Sequence, residues 1–241
     1  IVSPDGVSAI VVGLPYWLSD EALEDVREFE IVDEPRTAND LKVEKFIKPP
    51  NFREPWGFSQ DNQKNLGVSL PALRFPTIHY CPKCYRTQFV SKFSGVDEVC
   101  RRCHNPETPK FAPSLVQLQF VAMCRRGHLR DFPLNEWVHR SSTPSCSGNN
   151  IELKLIGLTL KDQQARCIDC GGPWRSFDGI FGIGKDGTSN LSGSLTKGAD
   201  FLCTGTRPWM NDIDPAGCGE FLLGGLRGAA NIYYAKTHSA I

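Results

Sequence analysis

Ten cysteines and five histidines are the residues of this 241-residue chain best suited to chemistry. Three cysteine pairs share the spacing C-x2-C: Cys81 with Cys84, Cys100 with Cys103, and Cys167 with Cys170. Two intervening residues let one tight turn present two thiolates to a common point, which is how tetrahedral Zn²⁺ is held. Cys81-Pro82-Lys83-Cys84 and Cys100-Arg101-Arg102-Cys103 together read C-x2-C-x15-C-x2-C, a zinc spacing. Four thiolates leave no position for water or substrate, so this set reads as structural. His79 and His104 flank it, and His104 could in principle replace Cys103.

Cys167 and Cys170 need two more ligands. Cys203 and Cys218 lie downstream and complete C-x2-C-x32-C-x14-C. The long middle gap is tolerable because loop-closure entropy grows slowly with length. The expectation is therefore a second four-thiolate zinc site. Cys124, His128, His139 and Cys146 remain, spaced C-x3-H-x10-H-x6-C. They are candidates for a third zinc, with Cys124 and His128 on one turn. The competing reading is buried thiols and hydrogen-bonded histidines. A mixed arrangement, in which Cys124 or Cys146 joins the second set, stays open. Disulfides are the alternative use of ten cysteines, but Ile1 to Pro15 has no basic segment of the secretory kind.

The rest of the composition bounds the function. Hydrophobic residues make up 40% and charged residues 22%, a globular rather than disordered balance. Twenty-seven basic residues balance 27 acidic ones, which argues against a chain that grips nucleic acid by itself. Two closed four-thiolate sites would move the formal charge from zero to −4. The longest apolar runs, Ala9 to Leu14 and Ile151 to Leu160, fall well short of the ~20 residues of a membrane span. The candidate phosphate contacts are Arg101, Arg102, Arg125, Arg126 and Arg130, with Trp137, Trp174 and Trp209 as candidate stacking platforms. The competing reading is a solvated surface and packed tryptophans.

Gly179 to Lys185 matches G-x4-G-K, but Asp186 follows where a phosphate loop needs Ser or Thr. Gly187 to Asn190 does not read as a helix start, so residues 179–198 are expected to be a mobile, Gly- and Ser-rich surface loop. H-E-x-x-H and G-x-S-x-G are absent from the sequence. A catalytic pairing of Cys124 with His128 or His139 is less favoured than metal binding or packing.

The elements that must position these residues are short. A strand is expected over 7–12, then a helix capped by Ser19, then a second helix opened by Thr37 and stopped by Pro49-Pro50. In that second helix Leu41, Phe46 and Ile47 would face the core. Residues 49–78 read as an irregular, packed connector. Leu115 to Ala122 alternates Val116, Leu118 and Phe120 inward against Gln117 and Gln119, and Ile151 to Leu160 is a further strand candidate. The expected fold is α+β and irregular, rich in zinc ribbons, with short strands and two N-terminal helices. Residues 1–70 form an N-terminal region, 71–112 a zinc ribbon and 113–241 a second zinc-binding region.

Several segments resemble the DrmB family of bacterial DISARM anti-phage systems. They are Pro71 to Cys84, Cys124 to Pro133, Glu136 to His139, Cys203 to Trp209, and Arg227 to Tyr234 with Ser239-Ala240-Ile241. The resemblance covers about residues 60–240 in order and weakens towards Glu34-Pro35-Arg36 and Phe46. It implies a zinc-rich, non-catalytic, cytoplasmic subunit that assembles with the helicase-like protein DrmA and engages DNA through the complex, with no membrane part. It carries over no catalytic residue. Family members are much longer, so the chain, which has no initiating Met, reads as an N-terminal portion. The alternative from another class is a metal-dependent nuclease or hydrolase with an open zinc.

Overall fold

Residues 6–12, 31–47, 72–94, 98–105, 107, 112–196, 200–229 and 232 are described by the computed structural model. The helix expected after Ser19 and most of the connector from 49 lie outside them. The chain divides into two compact units, Ile1–Ile10 with Leu73–Tyr233, and Val11–Ala72 with Tyr234–Ile241. Most of the expected 71–112 and 113–241 regions lies within the first of these. The architecture is α+β, made of short strands and few helices.

The strand at the N-terminus, β1, is Ala9–Val11. In the smaller unit β2 (Ile31–Val32) and β3 (Phe46–Ile47) pair antiparallel on either side of α1 (Pro35–Leu41). This helix begins before Thr37. Glu34 is its cap, its side chain accepting the Thr37 N–H at 3.4 Å, and Pro35 occupies the first turn where its missing N–H costs nothing. Lys42 adopts φ 54° and ends the helix well before Pro49-Pro50, so Phe46 and Ile47 lie in a strand and not on a helix face.

The larger unit contains β4 (Ala72–Arg74) from Leu73 onward, β5 (Ile78–Tyr80), β6 (Thr87–Phe89), β7 (Val116–Gln117), β8 (Phe120–Met123) and β9 (Leu129–Asp131). After α2 (Leu134–His139) come β10 (Ile151–Leu155), β11 (Gln163–Cys167), β12 (Arg175–Ser176), α3 (Asn190–Gly193), β13 (Thr206–Arg207), β14 (Asp212–Ile213) and β15 (Leu223–Leu226). Three three-stranded sheets, ordered β6-β5-β7, β15-β8-β9 and β10-β11-β12, contribute to the main core, and Phe75, Val121 and Leu129 form a smaller second cluster. The centre of the main core is aromatic. Phe120 lies 4.6 Å from Phe177, and Phe132 meets both Trp137 and Phe177 edge-on.

Two expectations fail here for identifiable reasons. The 115–122 segment is not one strand but two, β7 and β8, so no single alternation runs through it. Val116 is exposed and Gln117 is buried, while Leu118 and Phe120 both face inward. Gln117 is satisfied in the interior, accepting from Ser8 N–H and Arg227 and donating to the carbonyls of Ser8 and Pro76. The described part of the 179–198 segment, residues 179–196, is also not a free loop. Ile180, Leu191 and Leu195 are fully buried, and Ser189 caps α3 through Ser192 N–H at 2.9 Å. Ser189 also bonds the Leu222 carbonyl, and Ser192 Oγ accepts the Leu222 N–H at 2.9 Å, tying the segment to the residue before β15. Among the described residues no helix is long and apolar enough to cross a membrane.

Candidate metal centres

The ten cysteines are all free thiols, and with two histidines they converge in three groups of four. In each group the ligand atoms lie within 4.8 Å of one another.

The first group is Cys81, Cys84, Cys100 and Cys103. The β5–β6 hairpin supplies the first two. Its turn is drawn tight by Tyr85 N–H to Cys81 O at 2.8 Å and Cys81 N–H to Arg86 O at 3.0 Å, with Tyr85 at φ 56°. The N–H groups of Lys83 and Cys84 point at Cys81 Sγ, 3.3 and 3.4 Å away. The second pair is anchored by Cys100 N–H to Pro113 O at 2.9 Å. Across the group, Cys81 Sγ lies 3.8 Å from Cys103 Sγ and Cys84 Sγ 3.7 Å from Cys100 Sγ. His104 is exposed and outside the group. His79 is buried with Nδ1 donating to Thr77 O at 2.9 Å.

The other two groups differ from the expected partition. Cys203 and Cys218 do not join Cys167 and Cys170; they meet Cys124 and His128. Cys167 and Cys170 instead meet His139 and Cys146. Strand register is the reason. β8 runs directly into Cys124, and its antiparallel partner β15 starts just after Cys218, with Met123 opposite Leu223. The same pairing logic places Cys167, the last residue of β11, opposite Ile151, which follows Cys146 closely in sequence. α2 packs on β11 and brings His139 to the same end.

In the second group Cys124 Sγ is 3.5 Å from His128 Nδ1 and 3.7 Å from Cys218 Sγ. The Cys124–His128 turn closes through Gly127 N–H to Cys124 O at 3.0 Å, with Gly127 at φ 87°, a conformation a side chain would resist. Behind the imidazole, Nε2 donates to Asp214 Oδ2 at 3.2 Å. That bond fixes the tautomer and leaves the Nδ1 lone pair facing the thiols. Asp214 is held below the usual carboxylate range chiefly by the Ala216 N–H, then by His128 and Arg207.

The third group uses the opposite nitrogen. His139 Nδ1 donates to the Asn135 carbonyl at 2.8 Å, so Nε2 is the free lone pair, 3.3 Å from Cys170 Sγ. Cys146 Sγ and Cys167 Sγ are 3.6 Å apart. Gly171, at φ 65°, and Gly172 close the second half of the site, the latter donating to Cys167 O at 3.1 Å.

These distances test the chemistry. A tetrahedral zinc with Zn–S of ~2.3 Å has S···S edges of about 3.8 Å and S···N edges of about 3.5 Å. The sulfur pairs, at 3.6–3.8 Å, match, and a disulfide would need ~2.05 Å. Without a cation the thiols resist ionising together. Burial and neighbouring sulfurs push Cys103 up to about 12; burial, with Cys146 and Cys170 adding, pushes Cys167 to about 11; burial, then Cys124, pushes Cys203 to about 12. A dication removes that conflict. The three groups could therefore hold metal ions, and the donor chemistry is compatible with zinc.

The candidate nucleic-acid residues scatter. Arg101, Arg102, Arg125 and Arg126 are exposed. Arg102 donates to Asn150 Oδ1 at 3.2 Å and Arg126 to Gly217 O at 3.2 Å, so both brace metal-site turns. Arg130 is half-buried, paired with Glu136 at 3.7 Å. Trp137 is 2% exposed and cannot stack on a base. Trp174 is covered by Arg166, 4.4 Å from its ring.

Comparison with known proteins places these features. A family model described as a domain of unknown function (DUF8724) matches residues 1–234. A curated relative, the DISARM protein DrmB of Bacillus paralicheniformis, is 25% identical over 204 residues. The match covers 84% of this chain and 32% of that protein, so the chain spans about a third of its relative's length.

Proposed function

The chain belongs to the family described as a domain of unknown function (DUF8724), and from its similarity to a DISARM protein DrmB we propose that it is the zinc-stabilised portion of a DrmB-like subunit of an anti-phage defence system. One observation supports the zinc reading: three groups of four protein ligands, the ligand atoms of each within 4.8 Å of one another. The ligands would be Cys81, Cys84, Cys100 and Cys103; Cys124, His128, Cys203 and Cys218; and His139, Cys146, Cys167 and Cys170. Four protein donors fill a tetrahedron, which supports a structural rather than a hydrolytic role for each ion. Zinc here would supply folding energy and fixed turns, on the order of 10–16 kcal/mol apparent per site.

The subunit would act by assembling with a helicase-like partner in the cytoplasm and engaging DNA through the complex. Similarity to a DISARM protein supports the defence assignment. The charge supports the need for a partner: ten thiolates and three dications take the formal charge from zero to −4, unfavourable for an autonomous DNA clamp. The test is metal content of the purified chain by mass spectrometry. Three zinc ions per chain, released only with loss of folded structure, are expected. One exchangeable ion, together with phosphodiester or peptide hydrolysis that depends on it, would instead favour the open-site hydrolase.

A further inference from the structure

The ten cysteines share the three metal groups, and Cys170 alone among them is exposed. In the first group Cys81 and Cys100 are buried and Cys84 and Cys103 half-buried. In the second, Cys218 is half-buried and the other three ligands are buried. The third group opens at one corner, where Cys170 Sγ meets His139 Nε2 at 3.3 Å on the surface. Two glycines, Gly171 and Gly172, follow that sulfur directly and make the opening. A Cβ on Gly172 would lie 3.6 Å from Cys170 Sγ, in ordinary van der Waals contact, and a Cβ on Gly171 would meet nothing within 4 Å. Glycine at 172 therefore leaves uncovered a side of the sulfur that another residue would shelter.

Metal coordination deprotonates a thiol outright, so in a zinc-loaded chain all ten sulfurs have thiolate character. Susceptibility to oxidation follows thiolate character and access. The first is common to all ten, so access decides, and it singles out Cys170. Oxidation to a disulfide also needs a second thiolate within reach. Cys146 Sγ and Cys167 Sγ both lie within 4.8 Å of Cys170 Sγ.

We propose that Cys170 is a peroxide-modification site whose oxidation empties the third metal group and leaves the other two filled, an inference that rests on zinc occupying the groups. The Cys170 thiolate attacks one oxygen of hydrogen peroxide. The S–O bond forms as the O–O bond breaks, and hydroxide leaves. The thiolate of Cys146 or Cys167 then attacks the Cys170 sulfur. The S–S bond forms as the S–O bond breaks, and a second hydroxide leaves. Two thiolates have lost two electrons and the peroxide has gained them. One thiolate and the His139 imidazole remain, two donors where a tetrahedral ion needs four. A dithiol reductant returns both thiolates by exchange, and the group can refill. Loss of the ion releases the tie between His139 at the end of α2 and Cys167 at the end of β11.

The test uses the zinc-loaded chain and hydrogen peroxide. Released zinc is read with a chromophoric indicator and the oxidised cysteines by peptide mass spectrometry. Three ions should be present before peroxide is added; an empty third group overturns the proposal together with the zinc reading. From the loaded chain one ion should leave about tenfold or more faster than the other two. The first disulfide should join Cys170 to Cys146 or Cys167, and a dithiol with added zinc should restore the third ion. Gly172 does not adopt a left-handed conformation, so Gly172→Val is open to it and alters no ligand. That variant should keep three ions and slow the first release several-fold by covering the sulfur. If Gly172→Val loses zinc, the wild-type release order and disulfide map decide the matter. Release of all three ions together, or a first disulfide in another group, overturns the proposal and leaves the zinc reading intact. So does a Gly172→Val chain that keeps three ions and loses the first at the wild-type rate.

Discussion

Asp214 is not a candidate ligand, yet it decides how His128 can serve as one. Its carboxylate takes the Nε2 proton at 3.2 Å and holds the ring with Nδ1 towards the three thiols. Asp214→Asn can keep the shape but allows the amide to present a donor, which favours the wrong tautomer. Zinc affinity at that site alone should fall about 10–100-fold, read by competition with a chromophoric chelator, while the other two ions stay bound. Loss of all three ions together would show that the sites are not separable. The thiols set a pH dependence of definite sign. Cys103, Cys167 and Cys203 are held up to about 12, 11 and 12 in the metal-free chain and so carry protons at neutral pH. Metal capture must expel those protons, so apparent zinc affinity rises with pH across the neutral range. Proton release on zinc addition, followed with an indicator dye in weak buffer, should be clearly measurable; pH-independent affinity would contradict the assignment.

At the scale of elements, the strands are short and the metal sites sit where strands end. β8 and β15 are each four residues long, and β10 and β11 five. Strands of this length hold register weakly by themselves, and cross-links at their ends would fix it. Chelation should therefore raise hydrogen exchange in β8, β15, β10 and β11 together with the turns at 81–86 and 100–103. Unchanged exchange after complete zinc removal would remove the structural role. The aromatic nest is the complementary support. Phe177 is fully buried against Phe120, Phe132 and Trp137. Phe177→Ala should cost about 3–5 kcal/mol in the zinc-loaded protein, measured by urea unfolding. Lys185→Ala provides the contrast: the G-x4-G-K segment has no phosphate-loop helix behind it, α3 being four residues long, and the substitution should leave stability and zinc content unchanged.

For the whole molecule, zinc binding gives a neutral chain a net negative charge. A metal-free chain with protonated thiols has no formal net charge, and the chain with three ions carries −4. Native electrophoresis should show faster migration towards the anode when zinc is bound, after correction for compactness. DNA binding by the isolated chain should be weak and steeply salt-dependent. Each phosphate neutralised contributes roughly 0.7–0.9 to the log–log slope, and a chain offering about three to five contacts loses most affinity at physiological salt. Tight, salt-resistant binding by the isolated chain would show that no partner is needed.

The sequence by itself determined the chemistry and the short-range geometry. Ligand types, the tight C-x2-C turns and the closed character of the 81–103 set follow from spacing, because two or three residues between donors leave the backbone few ways to place them. The α+β class of short strands follows likewise from local composition. Only the tertiary structure decided which halves meet. Cys124–His128 and His139–Cys146 lack a paired-cysteine spacing, and their partners lie 75 and 21 residues on. The antiparallel registers of β8 with β15 and of β10 with β11 bring them together. Burial of Gln117, Ile180 and Leu191 was hidden for the same reason. A buried amide is acceptable only where Ser8, Pro76 and Arg227 arrive to satisfy it, and a Gly- and Ser-rich segment becomes core only where β15 gives it something to pack against. Such partners are distant in the chain, and local sequence carries no record of long-range contacts.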